Sequence, residues 1–243
     1  MITKAQVKHI RSLDDKKNRL EHREFVVEGD KMVTELLQSK LNVIHLFAIK
    51  KWIEANKYIL PAMADIHEVD ESELGRISHM TTPNQVLAVA SLPKNNAIDP
   101  IGVSLVLDTI QDPGNMGSII RIADWFGVSS IFCSMHCVDV FNPKVIQSSM
   151  GSLFRVGIYY CDILQLLQTN THIEAYAATL AGDPIQDVVL KKDAFIVIGN
   201  ESKGISTDVL NACSHRITIP KKGEAESLNA AVAAGIICHS LLS

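Results

Sequence analysis

The stretch Phe195-Ile-Val-Ile-Gly-Asn-Glu-Ser-Lys-Gly204 decides the architecture. Four apolar, mostly β-branched residues run directly into a polar loop bracketed by Gly199 and Gly204. That is the pattern of a buried strand ending at a ligand-facing turn. The same design recurs downstream, where strand Ile217–Ile219 stops at Pro220 and a polar loop carries Ser227-Leu-Asn229 into an almost wholly apolar helix, Leu228–Leu241. It recurs upstream, where strand Ser104–Asp108 leads to Asp112-Pro-Gly-Asn-Met-Gly-Ser-Ile-Ile-Arg121, a loop and then a helix from about Gly117 to Phe126. Three such loops at the ends of strands of one sheet predict a shared site there.

Between these segments strands and helices alternate. Strands are expected at Ser130–Cys133, Val156–Tyr160 and Glu174–Thr179, and helices at Pro143–Leu153 and Ile163–Gln168. Strands apolar on both faces with helices between them imply an α/β fold with a mostly parallel sheet covered on both sides. A smaller α/β unit precedes it. Its helices are expected at Lys4–Leu13, Asp30–Gln38, Lys51–Tyr58 and Glu71–Ile77, and its strands at Phe25–Val27, Val43–Phe47 and Val86–Ala90. Ser91–Pro100 holds two prolines and two adjacent asparagines without periodicity, so it reads as a linker, with domains at 1–95 and 96–243.

The 243 residues carry a net charge of −4, which excludes a uniformly basic nucleic-acid binder but not a local patch. Residues 1–23 hold seven basic groups (Lys4, Lys8, Arg11, Lys16, Lys17, Arg19 and Arg23) against three acidic ones. They suit either a solvated helix face or contacts to phosphates. Five scattered cysteines make no disulfide framework. Cys133 and Cys137 flank His136 without a matching ligand pair elsewhere, so no metal is expected. No signal peptide or spanning segment is evident, and a cytoplasmic protein is expected.

Several chemistries fail on the same loops. Residues 199–206 have the glycine spacing of a P-loop, but Ile205 stands where that motif needs Lys. Neither Gly-x-Gly-x-x-Gly nor Gly-x-Ser-x-Gly follows a strand.

Asp112–Arg121, Ile198–Ile205, and Ile219-Pro220 followed by Ser227–Ala234 resemble, in order, the three motifs of the SpoU (TrmH-like) family of RNA 2′-O-ribose methyltransferases, in the SPOUT superfamily. The resemblance covers about Val103 to Leu242, with Phe141–Gly151 similar to the family's intervening helix and Ser202 where a second glycine is common. Phe25–Gly29 and Thr82–Ala90 look like the ends of the RNA substrate-binding domain that many members carry. The resemblance implies a C-terminal trefoil knot, an S-adenosylmethionine pocket, and a homodimer through the knot region. Its RNA substrate would be ribosomal or, second, transfer RNA. It implies Asn115, Arg121, Glu201, Ser227 and Asn229 as the polar active-site residues, with Asn115 and Glu201 orienting Arg121. The cofactor would lie against the backbones of Thr179, Gly199, Ile219 and Leu228. Two rival readings are a non-catalytic RNA-binding ribosome-assembly module and transfer to a base nitrogen.

Overall fold

A computed structural model describes residues 1–80, 82, 84–94 and 100–243. The middle of the expected linker and the boundary placed within it lie outside the described residues. Contacts gather the chain into two compact units. The first is Met1–Lys94 with Phe141–Phe154; the second contains described residues 100–140 and Arg155–Ser243.

In the first unit the chain order is α1 (Lys4–Ser12), α2 (Lys16–His22), β1 (Glu24–Glu28), α3 (Asp30–Leu37), β2 (Val43–Ala48), α4 (Lys50–Asn56), β3 (Asp65–Glu68), α5 (Glu71–Ile77) and β4 (Val86–Ser91). The sheet order is β1-β4-β2-β3, antiparallel except for the parallel β2–β3 pair. Capping boxes set two helix starts, Thr3 with Gln6 and Asp70 with Glu73. Val26, Phe47, Leu87 and Val89 of the sheet pack against Ile10, Leu13, Leu74 and Ile77. The Glu28 carboxylate is buried and accepts from Ser78 Oγ at 2.5 Å and His79 N at 2.7 Å, so its burial is compensated.

Two elements here carry no apolar periodicity and escape sequence reading. Helix α2 buries a charge, Arg19, at 2% exposure, and the guanidinium donates to the carbonyls of Leu13 and Asp14. One of the seven basic groups at the N-terminus is therefore withdrawn from any phosphate. Strand β3 is a four-residue edge strand of largely polar, exposed residues.

The second unit continues with β5 (Val103–Asp108), α6 (Pro113–Trp125) and β6 (Ser130–Cys133). The next helix, α7 (Pro143–Ser149), groups with the first unit, where Gln147 Nε2 donates to Glu28 O at 3.1 Å and Phe141 packs on Phe25 at 4.7 Å between ring centroids. It ends at Ser149 and gives way to a separate 3₁₀ turn, Ser152–Phe154, so the expected helix to Leu153 is broken in two. Next come β7 (Gly157–Tyr160), α8 (Ile163–Thr169), β8 (Glu174–Pro184), β9 (Ala194–Gly199), α9 (Thr207–Ala212), β10 (His215–Thr218) and α10 (Ala230–Leu242).

The six strands run parallel in the order β10-β8-β9-β5-β6-β7. From β5 the chain adds β6 and β7 on one side, then crosses to build β8, β9 and β10 on the other. The reversal lies between β5 and β9, where carboxyl-end loops part and leave a crevice. Strand β8 extends past Thr179. Arg216 pairs with Ala177 but Ile217 with Asp183, so residues 178–182 are looped out of the ladder. Such a bulge re-aims backbone groups at the strand end.

Candidate functional site

The site is built at the carboxyl ends of β5 and β9, which pair Asp108 with Gly199. Asp108 is buried; its Oδ2 accepts from Ser206 N at 2.8 Å and its Oδ1 from Thr109 Oγ1 at 3.0 Å. Thr109 sits at φ +63°, a costly conformation for a β-branched residue. Ser134 Oγ, accepting from its N–H, and Asn200 Nδ2, donating to its carbonyl, hold it there, both at 2.9 Å. Behind it Cys137 Sγ accepts from Ile110 N at 3.3 Å. That thiol is drawn down to about 7, chiefly by the hydrogen bond with Cys133. All five cysteines are free. Asp108, Thr109 and Asn200 thus tie the first loop to the second, a role without a short-motif signature; the only sequence signal is a carboxylate closing an apolar strand.

The second loop is a tight return. Asn200 N and O both pair with Gly204, and Asn200 Oδ1 accepts from Ser202 N and Lys203 N. Gly204 takes φ +69°. A Cβ on Gly199 would stand 2.3 Å from Gly204 C and Ile205 N, so only glycine lets the loop fold back onto the strand end.

The expected first loop is largely helix. Asp112 caps α6 by accepting from Asn115 N at 2.8 Å, and Pro113 takes the first helical position, where its missing N–H costs nothing. Asn115 therefore projects from the first turn. Its Nδ2 donates to Glu201 Oε1 at 2.6 Å, and its Oδ1 accepts from Asn229 Nδ2 at 2.8 Å. Asn229 is the N-cap of α10, so the helix starts at Ala230 and not at the expected Leu228; Asn229 Oδ1 accepts from Ala231 N at 3.0 Å and Val232 N at 3.2 Å. One half-buried carboxylate, two carboxamides and the starts of two helices make a continuous chain of hydrogen bonds. The positive ends of both helix dipoles favour the negative charge of Glu201.

The structure brings Asn115, Glu201 and Asn229 together and leaves Arg121 apart. Six residues beyond Asn115, Arg121 lies about 9 Å along the axis and about 240° around it. It is exposed and hydrogen-bonded to none of the three, so within this chain no hydrogen bond from Asn115 or Glu201 sets its orientation, the role that the family resemblance implies. Ser227 is exposed in the segment before the cap and makes no hydrogen bond among the described residues.

Thr179 lies within the looped-out segment of β8, while Gly199 ends β9 and Ile219 directly follows β10. Thr179 Oγ1 donates to Ala181 O at 2.7 Å inside the bulge. Leu228 precedes the Asn229 cap and is 45% exposed. At Gly199 the close return of the chain leaves no room for a side chain, so main-chain groups line that strand end.

An open groove of about 480 Å³ runs between α6 and α10, lined by Asn115, Ser118, Ile122, Asn229, Val232 and Ile236. Among the described residues, no helix is long and apolar enough to cross a membrane.

Residues 102–239 match the SpoU rRNA Methylase family, and residues 4–88 match the MRM3-like substrate binding domain. The 23S rRNA (guanosine-2′-O)-methyltransferase RlmP of Bacillus subtilis is 28% identical over 97% of this chain and 95% of that protein. A TrmH-family protein of known structure from Porphyromonas gingivalis superposes with a TM-score of 0.93 at 37% identity, covering 99% of this chain and 98% of that one. An rRNA methyltransferase from Sinorhizobium meliloti, solved with bound AdoMet, gives 0.88 at 27% identity over 99% of this chain and 95% of that chain.

Proposed function

The chain belongs to the SpoU rRNA Methylase family, and on that footing we propose that it is an enzyme that methylates a ribose 2′-hydroxyl of RNA at the expense of S-adenosylmethionine. Ribosomal RNA is the first-ranked substrate and transfer RNA the second. The observation that carries this reading is the Glu201–Asn115–Asn229 chain at the joined ends of β5 and β9. A module that merely bound RNA would have no use for a carboxylate fixed by an amide that is itself held to the cap of a second helix.

The main chain of Thr179, Gly199, Ile219 and Leu228 would hold the cofactor. When bound, S-adenosylmethionine supplies an electrophilic methyl group. The protein's task is then to place the ribose oxygen and accommodate its proton. Glu201 and Asn115, locked against each other, present a fixed acceptor and amide to the nucleotide. Arg121 offers a guanidinium to the charge that develops on the 2′-oxygen. With a pKa above about 12 it stabilises that charge and does not remove the proton.

Arg121 stands away from its own cluster, while α6 and α10 expose an apolar groove containing Ile122, Val232 and Ile236. Both features support a homodimer packed over that groove, with Arg121 serving the cleft of the partner subunit. We further assign a trefoil knot to the C-terminal segment, RNA binding to domain 1–95, catalysis to domain 96–243, and a cytoplasmic location.

Arg121→Ala is expected to retain cofactor binding by calorimetry and to lose nearly all transfer. Alkaline digestion of the product reads the position, since a 2′-O-methyl blocks cleavage there and a base methyl leaves it cleavable. Mixing inactive Arg121→Ala with inactive Asn115→Ala should restore part of the activity, because a mixed dimer holds one intact cleft. Failure of the mixture, with mixed dimers present, refutes the shared site.

A further inference from the structure

Three metal-type donors meet in the first compact unit, outside every motif named above. Strands β2 and β3 run parallel with His45 opposite Asp65 and Phe47 opposite His67. Side chains alternate along a strand, so these four share one face of the sheet. The Phe47 and His67 rings stack at 4.5 Å and 10°, which fixes the imidazole plane. The His45 ring lies 5.7 Å from that of His67.

Asp65 Oδ2 is 3.0 Å from His67 Nε2 and 3.5 Å from His45 Nδ1. One donor atom from each residue lies within 4.8 Å of the other two. Both ring nitrogens are buried, and neither makes a hydrogen bond among the described residues. Close approach without hydrogen-bond alignment means that the nitrogens are not aimed at the carboxylate oxygen. An ion would resolve this geometry. A metal about 2.0–2.2 Å from each of its tetrahedral N and O donors sets them roughly 3.3 Å apart, and the two measured edges bracket that value.

We propose that His45, Asp65 and His67 form a binding site for a divalent transition metal of the zinc class. Two imidazoles and one carboxylate suit such an ion and are poor ligands for magnesium or calcium, which take oxygen. Asp65 is 62% exposed at its side chain, so the remaining coordination position opens to water. The ion ties the short edge strand β3 to β2, where strand pairing alone is meagre.

The test uses the full chain, stripped with a chelator and titrated with zinc chloride by calorimetry, with melting curves recorded alongside. One equivalent is expected to bind and to raise the melting temperature. Affinity should fall at least a hundredfold in His45→Gln and His67→Ala and at least tenfold in Asp65→Asn, with exposed His172→Ala unchanged. If His67→Ala fails to fold, Asp65→Asn carries the comparison, because its side chain is largely in solvent. Cobalt substitution adds a spectroscopic reading: the bound ion should show ligand-field bands without a sulfur-to-metal charge-transfer band. A sulfur band would place the ion on cysteines and overturn the site. So would zinc affinity unaltered in all three variants, or absence of binding by the stripped wild-type chain.

Discussion

Replacing Asn115 by Asp exchanges one nitrogen for an oxygen, with almost no change of shape, at the centre of the cluster. The wild-type Nδ2 donates to Glu201 Oε1 at 2.6 Å, while Oδ1 accepts from Asn229. In Asn115→Asp the hydrogen bond from Asn229 survives, and the one to Glu201 becomes carboxylate against carboxylate. A hydrogen bond to a charged group contributes about 1.5–3 kcal/mol. Two unit charges about 4 Å apart repel by about 4 kcal/mol at an effective dielectric of about 20. Glu201 is half-buried, so water screens part of that repulsion and reorientation relieves more. A net loss of about 3 kcal/mol is expected, equivalent to a melting shift of about 6–12 °C. Acidification toward about pH 5 should recover part of it, since a proton on either carboxyl restores a donor between them. The second-site change Glu201→Gln should rescue stability at neutral pH, because Gln supplies the amide that the substituted aspartate lacks. The assay is a double-mutant cycle by thermal melting at neutral and acid pH, with cofactor affinity measured on the folded variants. A coupling energy near zero, or an Asn115→Asp protein as stable as wild type at neutral pH, would show that this hydrogen bond does not hold the loops together.

Gly199→Ala forces a methyl to within 2.3 Å of Gly204 C and Ile205 N, so the second loop must lift off the strand end; at least a tenfold loss of cofactor affinity by calorimetry is expected, in a protein that still folds. Lys4, Lys8, Lys16 and Lys17 are exposed, so changing all four to Gln should weaken RNA binding and flatten the dependence of log K on log salt by about 0.7 for each phosphate no longer neutralised. Arg19→Gln should lower stability instead, because Arg19 is buried on backbone carbonyls. Glu174 is held down to about 2, first by Lys191 and then by Tyr176. Its folded pKa lies below the ordinary value of 4.5. Its stabilisation is therefore present above that value and lost as pH falls toward about 2. Glu174→Gln should remove that acid limb from the melting profile and leave the profile near neutrality parallel to wild type.

The amino-acid sequence by itself determined the α/β alternation and the three strand-end loops. Apolar runs such as Phe195–Ile198 can be satisfied only in a sheet buried on both faces, and Gly199 and Pro220 mark where each run stops. Those are local constraints, written within a few residues; the resemblance of the three loops to the family's motifs places Asn115, Glu201 and Asn229 among the candidates. Tertiary structure decided which candidates meet. Asn115 reaches Glu201 because β9 inserts beside β5 and the capped start of α6 turns the amide toward it, a packing outcome between residues 86 positions apart. Arg121 separates from them because helical rotation, invisible in a motif, sends it to another face. Elements stabilised by something other than apolar periodicity stayed hidden: α2 around a buried guanidinium, β3 as a polar edge, and the bulge at residues 178–182 within an otherwise continuous strand. The His45–Asp65–His67 cluster belongs to the same class, since parallel pairing of β2 with β3, and no spacing along the chain, brings its members onto one face.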